Sequence, residues 1–392
     1  MLLCLIAIDL TAGYAVGKPN AGERPLAGQL TWYFNYGRSI EGKVRAMVGP
    51  EGTPPPPMLT TGWVEPPSNQ PAQIEEGQDL LIAVYGMSFA AHITKQMQEQ
   101  DKKIAVRMAG GPGATLSHSY AMYSADRGRH SADVVVLGIL ASSLPALATI
   151  SHMTWNFEEP SPHFYPRFSV TDERLARYSP SINTLAQLQT AARDDSRWED
   201  VISEIATHDA YYDPLVFRSW SLDESVMARL ARRAWGQRSK RANVERFHIA
   251  SGFTNELGLL DVTHRIVNSF ITEVRNDRKL PVILVINDRG YGDHLHNALA
   301  HFSTAEGVLY FSTHEIAPAA DMGNFVKDGH FTAVNDQLLG RELLDRLNQR
   351  LNRRSLAASA DFQSNEKLKF LTRAAETPNA GIANASARAR AN

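Results

Sequence analysis

A serine at position 88 follows a short apolar run with the composition of a buried β-strand. The run, residues 80–85, ends at Gly86, and a helical pattern of small and apolar residues begins at Phe89. Strand, tight turn and helix place a serine hydroxyl at the carboxyl end of the strand, beside the positive end of the new helix. That helix end favours an alkoxide or an oxyanion. The stretch therefore predicts Ser88 as a nucleophile, although Gly-x-Ser after a strand is by itself a common pattern.

A glycine-rich stretch follows the next predicted strand. Residues 109–115 read Ala-Gly-Gly-Pro-Gly-Ala-Thr, directly after an apolar run at 103–108. Backbone N–H groups of such a turn can point at a ligand oxygen. The stretch lacks the Lys-Ser/Thr of a phosphate loop and does not fit Gly-x-Gly-x-x-Gly, so nucleotide binding is a poor fit. Two interpretations remain, a plain tight turn and a backbone donor for an oxyanion.

An aspartate and a histidine stand two residues apart late in the chain, at Asp328 and His330. They follow the last predicted strand by a loop and precede a helical pattern. A carboxylate in this position can accept a hydrogen bond from Nδ1–H of the imidazole, which fixes the tautomer and leaves Nε2 free as a base. The alternative is a capping aspartate beside a surface histidine.

The elements that hold these residues alternate between strand and helix. Further strand patterns lie at 133–138, 280–287 and 307–312, and helical patterns occupy 255–276, 291–302 and 333–351. This alternation, mostly without hairpin turns, predicts an α/β fold with a doubly wound parallel sheet. Because ligands bind at the carboxyl ends of the strands in such sheets, we expect Ser88, the glycine turn and His330 at one edge.

Composition sets the class of protein. The 392 residues, 43% hydrophobic and 21% charged, are typical of a soluble globular protein with a sizeable core. The formal net charge of -2 argues against a dedicated nucleic-acid-binding protein, and a single cysteine, Cys4, excludes a disulfide framework. Five segments are predicted: an N-terminal segment with a proline-rich connector (1–70), the first part of the α/β domain (71–150), a helical insertion (151–251), the second part of the domain (252–354) and a disordered tail (355–392).

The N-terminus has two interpretations. Met1 to Ile8 is apolar, but Asp9 interrupts the run and no basic residue precedes it. A signal peptide has a basic start and a longer apolar region, and a transmembrane helix needs about 20 apolar residues. The segment is either a packed N-terminal element or the remnant of an export signal or membrane anchor, which leaves membrane association through the N-terminus open.

At the three stretches described above, the chain resembles the SGNH/GDSL hydrolase superfamily. Gly-Met-Ser-Phe at residues 86–89 is similar to the first block of that superfamily, with Met87 where aspartate is usual. Residues 110–115 resemble the second block, with Gly113 at the oxyanion-hole glycine. Asp328-Gly-His330 resembles the fifth block, in the Asp-x-His form of polysaccharide O-acetyltransferase relatives. The resemblance covers about residues 79–145 and 255–350.

The resemblance implies a flavodoxin-like three-layer sheet and a serine esterase that works through an acyl-enzyme. Ser88, His330 and Asp328 would form the triad, with the backbone N–H groups of Ser88 and Gly113 in the oxyanion hole. The substrate would be a small-molecule or polysaccharide ester, acetylated carbohydrate included, and no cofactor is expected because side chains and backbone amides suffice. A polysaccharide O-acetyltransferase with the same triad and a non-catalytic glycan-binding homologue are the alternatives.

The third block departs from the superfamily pattern. The family has Gly-x-Asn after the third strand, whereas this chain has Leu140, which cannot donate a hydrogen bond to an oxyanion. Ser142, Ser143 and Asn156 are candidate replacements, and we expect Asn156 because its amide is the right kind of donor. Nearby aromatic residues are expected either to stack on sugar rings or to pack the insertion onto the sheet: Trp155, Phe157 and Tyr165.

Three other functions compete with this interpretation. An α/β-hydrolase has a Gly-x-Ser-x-Gly elbow, but there the acid usually precedes the histidine by a longer interval. Metal binding would use four residues near 293–301, but His294 and His296 would diverge on a helix and the first of the four is better explained as an N-cap: Asp293, His294, His296 and His301. Nucleic-acid binding would use a basic stretch that acidic residues flank: Arg229, Arg232, Arg233, Arg238, Lys240 and Arg241.

Overall fold

A computed structural model describes residues 2–16 and 33–352. The predicted tail, 355–392, and most of the segment before residue 33 lie outside the described residues. The chain divides after Arg341 into two units. All residues of the candidate site belong to the first unit, and in the second unit Arg346 forms an ion pair with Glu342.

Five parallel strands form the central sheet. Their bounds are β1 Leu80–Gly86, β2 Ile104–Gly110, β3 Val134–Leu140, β4 Leu280–Ile286 and β5 Leu309–Ser312. The strand order is β2-β1-β3-β4-β5, so consecutive strands need crossover connections. Every strand predicted from an apolar run is present, and the predicted α/β class with a parallel sheet is confirmed. The strands are apolar on both faces, except for Arg107 in β2 and Ser312 at the end of β5, as expected of a sheet covered on both sides.

Helices cover both faces of this sheet. Alternate residues of β1, among them Leu81 and Tyr85, lie in one core cluster with helices α3 and α5. A Cβ on Gly86 or Gly138, which point the other way, would meet Ala90 of helix α2. The labelled helices are α1 Leu2–Val16, α2 Ser88–Gln100, α3 Leu116–Asp126, α4 Val226–Phe247, α5 Leu259–Asn276 and α6 at 333–352.

Shorter elements complete the first half of the chain. Helices Ile40–Val48 and Pro57–Thr60 precede the sheet, and a 3₁₀ segment, Ala141–Ala148, follows β3. The proline-rich connector between helix Pro57–Thr60 and β1 is held by Arg107 of β2. The guanidinium of Arg107 donates to the carbonyls of Pro67, Gln70 and Pro71. The buried side chain of Arg107 therefore anchors the connector to the sheet.

The insertion at 151–251 is helical, but it also holds strands that the sequence analysis did not predict. Its helices are Leu185–Arg193, Asp195–His208, Pro214–Phe217 and α4, and a 3₁₀ turn lies at Ser221–Glu224. Strands Arg167–Thr171 and Arg174–Tyr178 pair as an antiparallel hairpin. The hairpin turn puts Asp172 and Glu173 at φ 47° and 60°, a conformation usually signalled by glycine or asparagine. A second short pair joins His248–Ile249 to Gly252–Phe253.

Helical segments follow the last two strands of the sheet. Helix His294–Leu299 and the 3₁₀ segment Ala300–Thr304 connect β4 to β5, where the sequence predicted one helix at 291–302. Short 3₁₀ turns Thr313–Glu315 and Met322–Asn324 follow β5 and lead to α6. Thr332 precedes α6, and its hydroxyl accepts from the N–H of Asn335. Helix α6 therefore begins with a side-chain cap directly after His330.

The N-terminal run of apolar residues forms α1. The carboxylate of Asp9 accepts from the hydroxyl of Ser225 and from the N–H of Met227, at the start of α4. Among residues 2–16 and 33–352, no helix combines the length and the apolar character needed to cross a bilayer.

Candidate active site

Ser88 is the first residue of α2, immediately beyond the carboxyl end of β1. The N-cap is Met87, whose side chain makes no hydrogen bond to the helix end. The first N–H groups of α2 are therefore not satisfied by a capping side chain, and the positive end of the helix dipole lies at Ser88. A hydroxyl in this position is favoured as an anion and has backbone donors beside it.

The structure brings His330 to Ser88 across 242 residues of sequence. Nε2 of His330 lies 2.7 Å from Oγ of Ser88. Nδ1 of His330 lies 3.1 Å from Oδ1 of Asp328, which also accepts from the backbone N–H of His330 at 3.1 Å. Both hydrogen bonds lower the pKa of Asp328, the backbone one most. With Nδ1–H donated to Asp328, Nε2 accepts from the serine hydroxyl, and that hydroxyl can lose its proton as it attacks an electrophile.

A tight loop after β5 holds this histidine. Phe325 and Phe331 form an isolated antiparallel bridge, and the N–H of Val326 donates to the carbonyl of His330 at 2.8 Å. The imidazole stacks on Phe89, with ring centroids 4.7 Å apart and planes inclined by 26°. Since Phe89 is the residue after Ser88, nucleophile and base are held by the same turn of α2. The imidazole is therefore held both by packing on Phe89 and by its contact with the exposed Asp328.

The glycine turn begins at the same edge. Gly110, the last residue of β2, pairs in register with Gly86 of β1. Gly113 adopts φ +61°, and a Cβ there would lie 3.1 Å from Cε1 and Nε2 of His152. Only glycine fits this backbone and this spacing without strain. The turn is thus packed from behind against the partly buried imidazole of His152. The role of the Gly113 N–H as an oxyanion donor stays a prediction.

The candidates for the missing third-block donor are engaged elsewhere. The amide of Asn156 donates to the carbonyl of Glu159, three residues on, at 3.1 Å. The Ser143 hydroxyl donates to the carbonyl of Leu140, and the N–H of Ser142 donates to Asp288. The expectation that Asn156 supplies the donor therefore finds no supporting contact among the described residues, because its amide closes its own loop.

The expectation of sugar-stacking aromatic residues is wrong. Trp155 lies in the main core cluster against Tyr211 and is 9% exposed. Phe157, 3% exposed, belongs to the second core cluster, and the Tyr165 hydroxyl lies 2.7 Å from Oγ1 of Thr149. Buried rings offer no face to a sugar. The alternative weighed beside it, packing of the insertion, accounts for all three.

Two groups of site residues were missed by sequence reasoning. His92 lies four residues after Ser88 on α2, its ring centroid 5.3 Å from that of His330, and Asp336 lies beside it on α6. A second group lines a small cavity behind the glycine turn, together with Tyr165, which the sequence analysis had named: His118, His152, Ser161 and His163. Burial lowers the pKa of each of these histidines to about 4. Only the spacing from Ser88 to His92, one helical turn, was visible in the sequence.

The residues proposed for metal binding and for nucleic-acid binding make other contacts. His294 lies 2.7 Å from His248, His296 lies 3.1 Å from the Tyr310 hydroxyl, and the ring of His301 packs on His264. Within residues 2–16 and 33–352, no three His, Cys, Asp or Glu side chains are grouped to hold a metal ion. In the basic stretch of α4, three arginines pair with acidic residues: Arg229 with Glu224, Arg232 with Asp223 and Arg233 with Glu158.

No protein-family model, no curated protein and no solved structure matches the chain. The chemistry of the site has to follow from its own geometry.

Proposed function

We propose that the protein is a serine hydrolase that cleaves ester bonds, with Ser88, His330 and Asp328 as its triad. The observation that carries the proposal is the 2.7 Å separation between the Ser88 hydroxyl and Nε2 of His330, at an uncapped helix N-terminus. The strand order β2-β1-β3-β4-β5 is that of flavodoxin-like sheets, in which ligands bind beside the first strand. This order supports the resemblance to the SGNH/GDSL superfamily.

The proposed reaction proceeds in two halves. His330 accepts the Ser88 proton as Oγ attacks the ester carbonyl, and backbone N–H groups of Ser88 and Gly113 stabilise the tetrahedral oxyanion. When the carbon–oxygen bond to the alcohol breaks, the imidazolium gives its proton to the departing alkoxide, leaving an acyl group on Ser88. Water, deprotonated by His330, then attacks the acyl-enzyme and releases the acid.

The direct test is covalent labelling of Ser88. A serine-directed fluorophosphonate is expected to label the protein with one equivalent, and an activated acetyl ester should give a burst of alcohol. Ser88→Ala should abolish both, and His330→Ala should slow both by about 10³-fold or more, since the base is lost. The control is Ser124→Ala near the end of α3, where the hydroxyl donates to the carbonyl of Tyr120, and this variant should label like the wild type.

Product analysis decides between hydrolysis and transfer. With acetylated polysaccharide, release of free acetate indicates hydrolysis, whereas acetate appearing on added bare polysaccharide indicates the O-acetyltransferase alternative. A folded protein that neither labels at Ser88 nor gives a burst would refute the proposal and favour the non-catalytic glycan-binding alternative.

A further inference from the structure

A second imidazole–carboxylate pair lies beside the first. Helix α2 carries Ser88 and His92 four residues apart, so their side chains share one face of the helix. Nδ1 of His92 lies 3.6 Å from Oδ2 of Asp336, and the ring centroids of His92 and His330 are 5.3 Å apart. Two carboxylates therefore flank the base, Asp328 on its own loop and Asp336 behind His92.

The two carboxylates differ sharply in burial. The side chain of Asp328 is 70% exposed, whereas that of Asp336 is 11% exposed. In the part of the chain that the structure describes, Oδ1 of Asp336 is buried and has no hydrogen-bond partner. Burial raises the pKa of Asp336, and the charges of His92 and His330 oppose that rise. A buried carboxylate that is not fully hydrogen-bonded destabilises the folded protein. Its presence beside the candidate site therefore suggests a functional role.

We propose that Asp336 is a positioning residue of the reaction proposed above, and that its buried carboxylate acts with His92 to stabilise the imidazolium form of His330. This inference rests on the proposed function. A charge with little solvent around it acts more strongly than an exposed one, because water and salt screen exposed pairs. Asp328 orients the ring of His330, and Asp336 supplies the larger share of the electrostatic stabilisation.

The timing of the charge explains why the arrangement helps the reaction. In the resting state, Asp336 lacks a partner for Oδ1 and its negative charge is poorly compensated. When Ser88 gives its proton to His330, a positive charge appears next to His92. The interaction is then stronger in the transition state than in the ground state, which is the condition for a faster chemical step.

The experiment compares five variants and one control variant with the wild type by the rate of Ser88 labelling and of ester hydrolysis across pH. Asp336→Asn is expected to lower kcat about tenfold or more with little change in KM, and to move the acid limb of the rate profile to lower pH, since a nearby negative charge no longer favours the imidazolium. Asp328→Asn should cost less than Asp336→Asn. The charged or titratable groups around His330 are Asp328, His92 and Asp336.

His92→Gln provides a test that does not depend on a buried substitution, since His92 is about half exposed. It should lower kcat in the same direction, and adding Asp336→Asn to it should cost little more, because both act in one unit. Asp336→Glu keeps the negative charge, so its acid limb should lie closer to that of the wild type than the acid limb of Asp336→Asn does. The control is Glu99→Gln, which breaks an exposed pair with Lys95 on the same helix and should change neither rate nor profile.

Failure of this inference and failure of the proposed function are distinguishable. A wild-type protein that never labels at Ser88 refutes the function and this inference with it. A wild type that labels normally, with Asp336→Asn and His92→Gln matching it in kcat and acid limb, leaves the esterase in place and overturns the role of Asp336. A lower melting temperature with an unchanged acid limb has the same meaning, because a purely structural residue moves only stability.

Discussion

Asp126→Ala is expected to destabilise the protein strongly, because it breaks a buried ion pair on one side only. Asp126 ends α3 and accepts from Nε and Nη2 of Arg107 at 2.7 Å each, and from the Tyr85 hydroxyl at 2.9 Å. The two charged side chains are 0% and 4% exposed. Without the carboxylate, the guanidinium of Arg107 stays buried next to the connector carbonyls with no counter-charge.

The magnitude follows from that uncompensated charge. Breaking a buried pair by removing one partner costs about 3–5 kcal/mol. A domain is usually stable by about 5–15 kcal/mol, so the variant should lose about a fifth or more of its free energy of unfolding. Replacing both partners, as Arg107→Met with Asp126→Leu, should recover most of the loss, since neither charge is then buried alone.

The same pair predicts how stability depends on pH. Burial opposes ionisation of Asp126, but hydrogen bonds from Arg107 and Tyr85 outweigh it and lower its pKa. A carboxyl whose pKa is lower in the folded state stabilises the fold fully above its unfolded pKa of about 4. That contribution is lost as pH falls through the folded pKa, and Asp126→Ala should lack this part of the acid dependence.

Urea unfolding followed by circular dichroism measures the effect. The control is Asp79→Ala, which removes an exposed pair of the same type, with Lys103 Nζ 2.9 Å from Oδ2 and side chains 66% and 68% exposed. That variant should lose no more than about 1 kcal/mol. The contrary result is an Asp126→Ala protein whose free energy of unfolding falls by less than about 1 kcal/mol, while the dependence of that free energy on urea concentration is unchanged. It would show that the charge of Arg107 is compensated without Asp126.

Two further predictions concern the site and its support. Gly113→Ala should slow Ser88 labelling about 100-fold, since the new Cβ meets His152 and shifts the turn, whereas Gly128→Ala, also at positive φ (+79°) but with open space, should leave the labelling rate unchanged. Burial raises the pKa of Asp209 to about 7. Stability from its bound proton is therefore present below about pH 4 and lost as pH rises to 7, and Asp209→Asn should flatten that slope in thermal melts at pH 4–7.

The sequence contained enough to locate the sheet and the contact between Ser88 and His330. Each of these residues stands next to a signal that is local in the chain: an apolar run ending at glycine for Ser88, and a loop between strand and helix for Asp328 and His330. In a parallel sheet, the carboxyl ends of the strands share one edge, so residues after different strands meet there. Topology thus carried the prediction across the 242 residues that separate Ser88 from His330.

Burial could not be predicted in the same way. Trp155 and Phe157 lie in a loop rich in proline and charge, a composition typical of exposed loops. Long-range packing nevertheless buries them, Trp155 against Tyr211 and Phe157 against Gly236. Nothing in the sequence indicated that Asp336 lies near the site. It occupies the first turns of a helix, where acidic residues are common for reasons of helix stability, and only the approach of His92 gives it a place near the site.

The position of His330 over Ser88 depends on helix packing as much as on the loop. Helix α6 begins three residues after His330, and a Cβ on Gly340 would lie 2.8 Å from the N of Met97 and 2.9 Å from the carbonyl oxygen of Ile93 on α2. The two helices therefore approach to backbone contact there. Since α2 carries Ser88 and α6 anchors the loop of His330, this contact sets the distance between nucleophile and base. Separating the helices would lengthen that distance even with the triad residues intact.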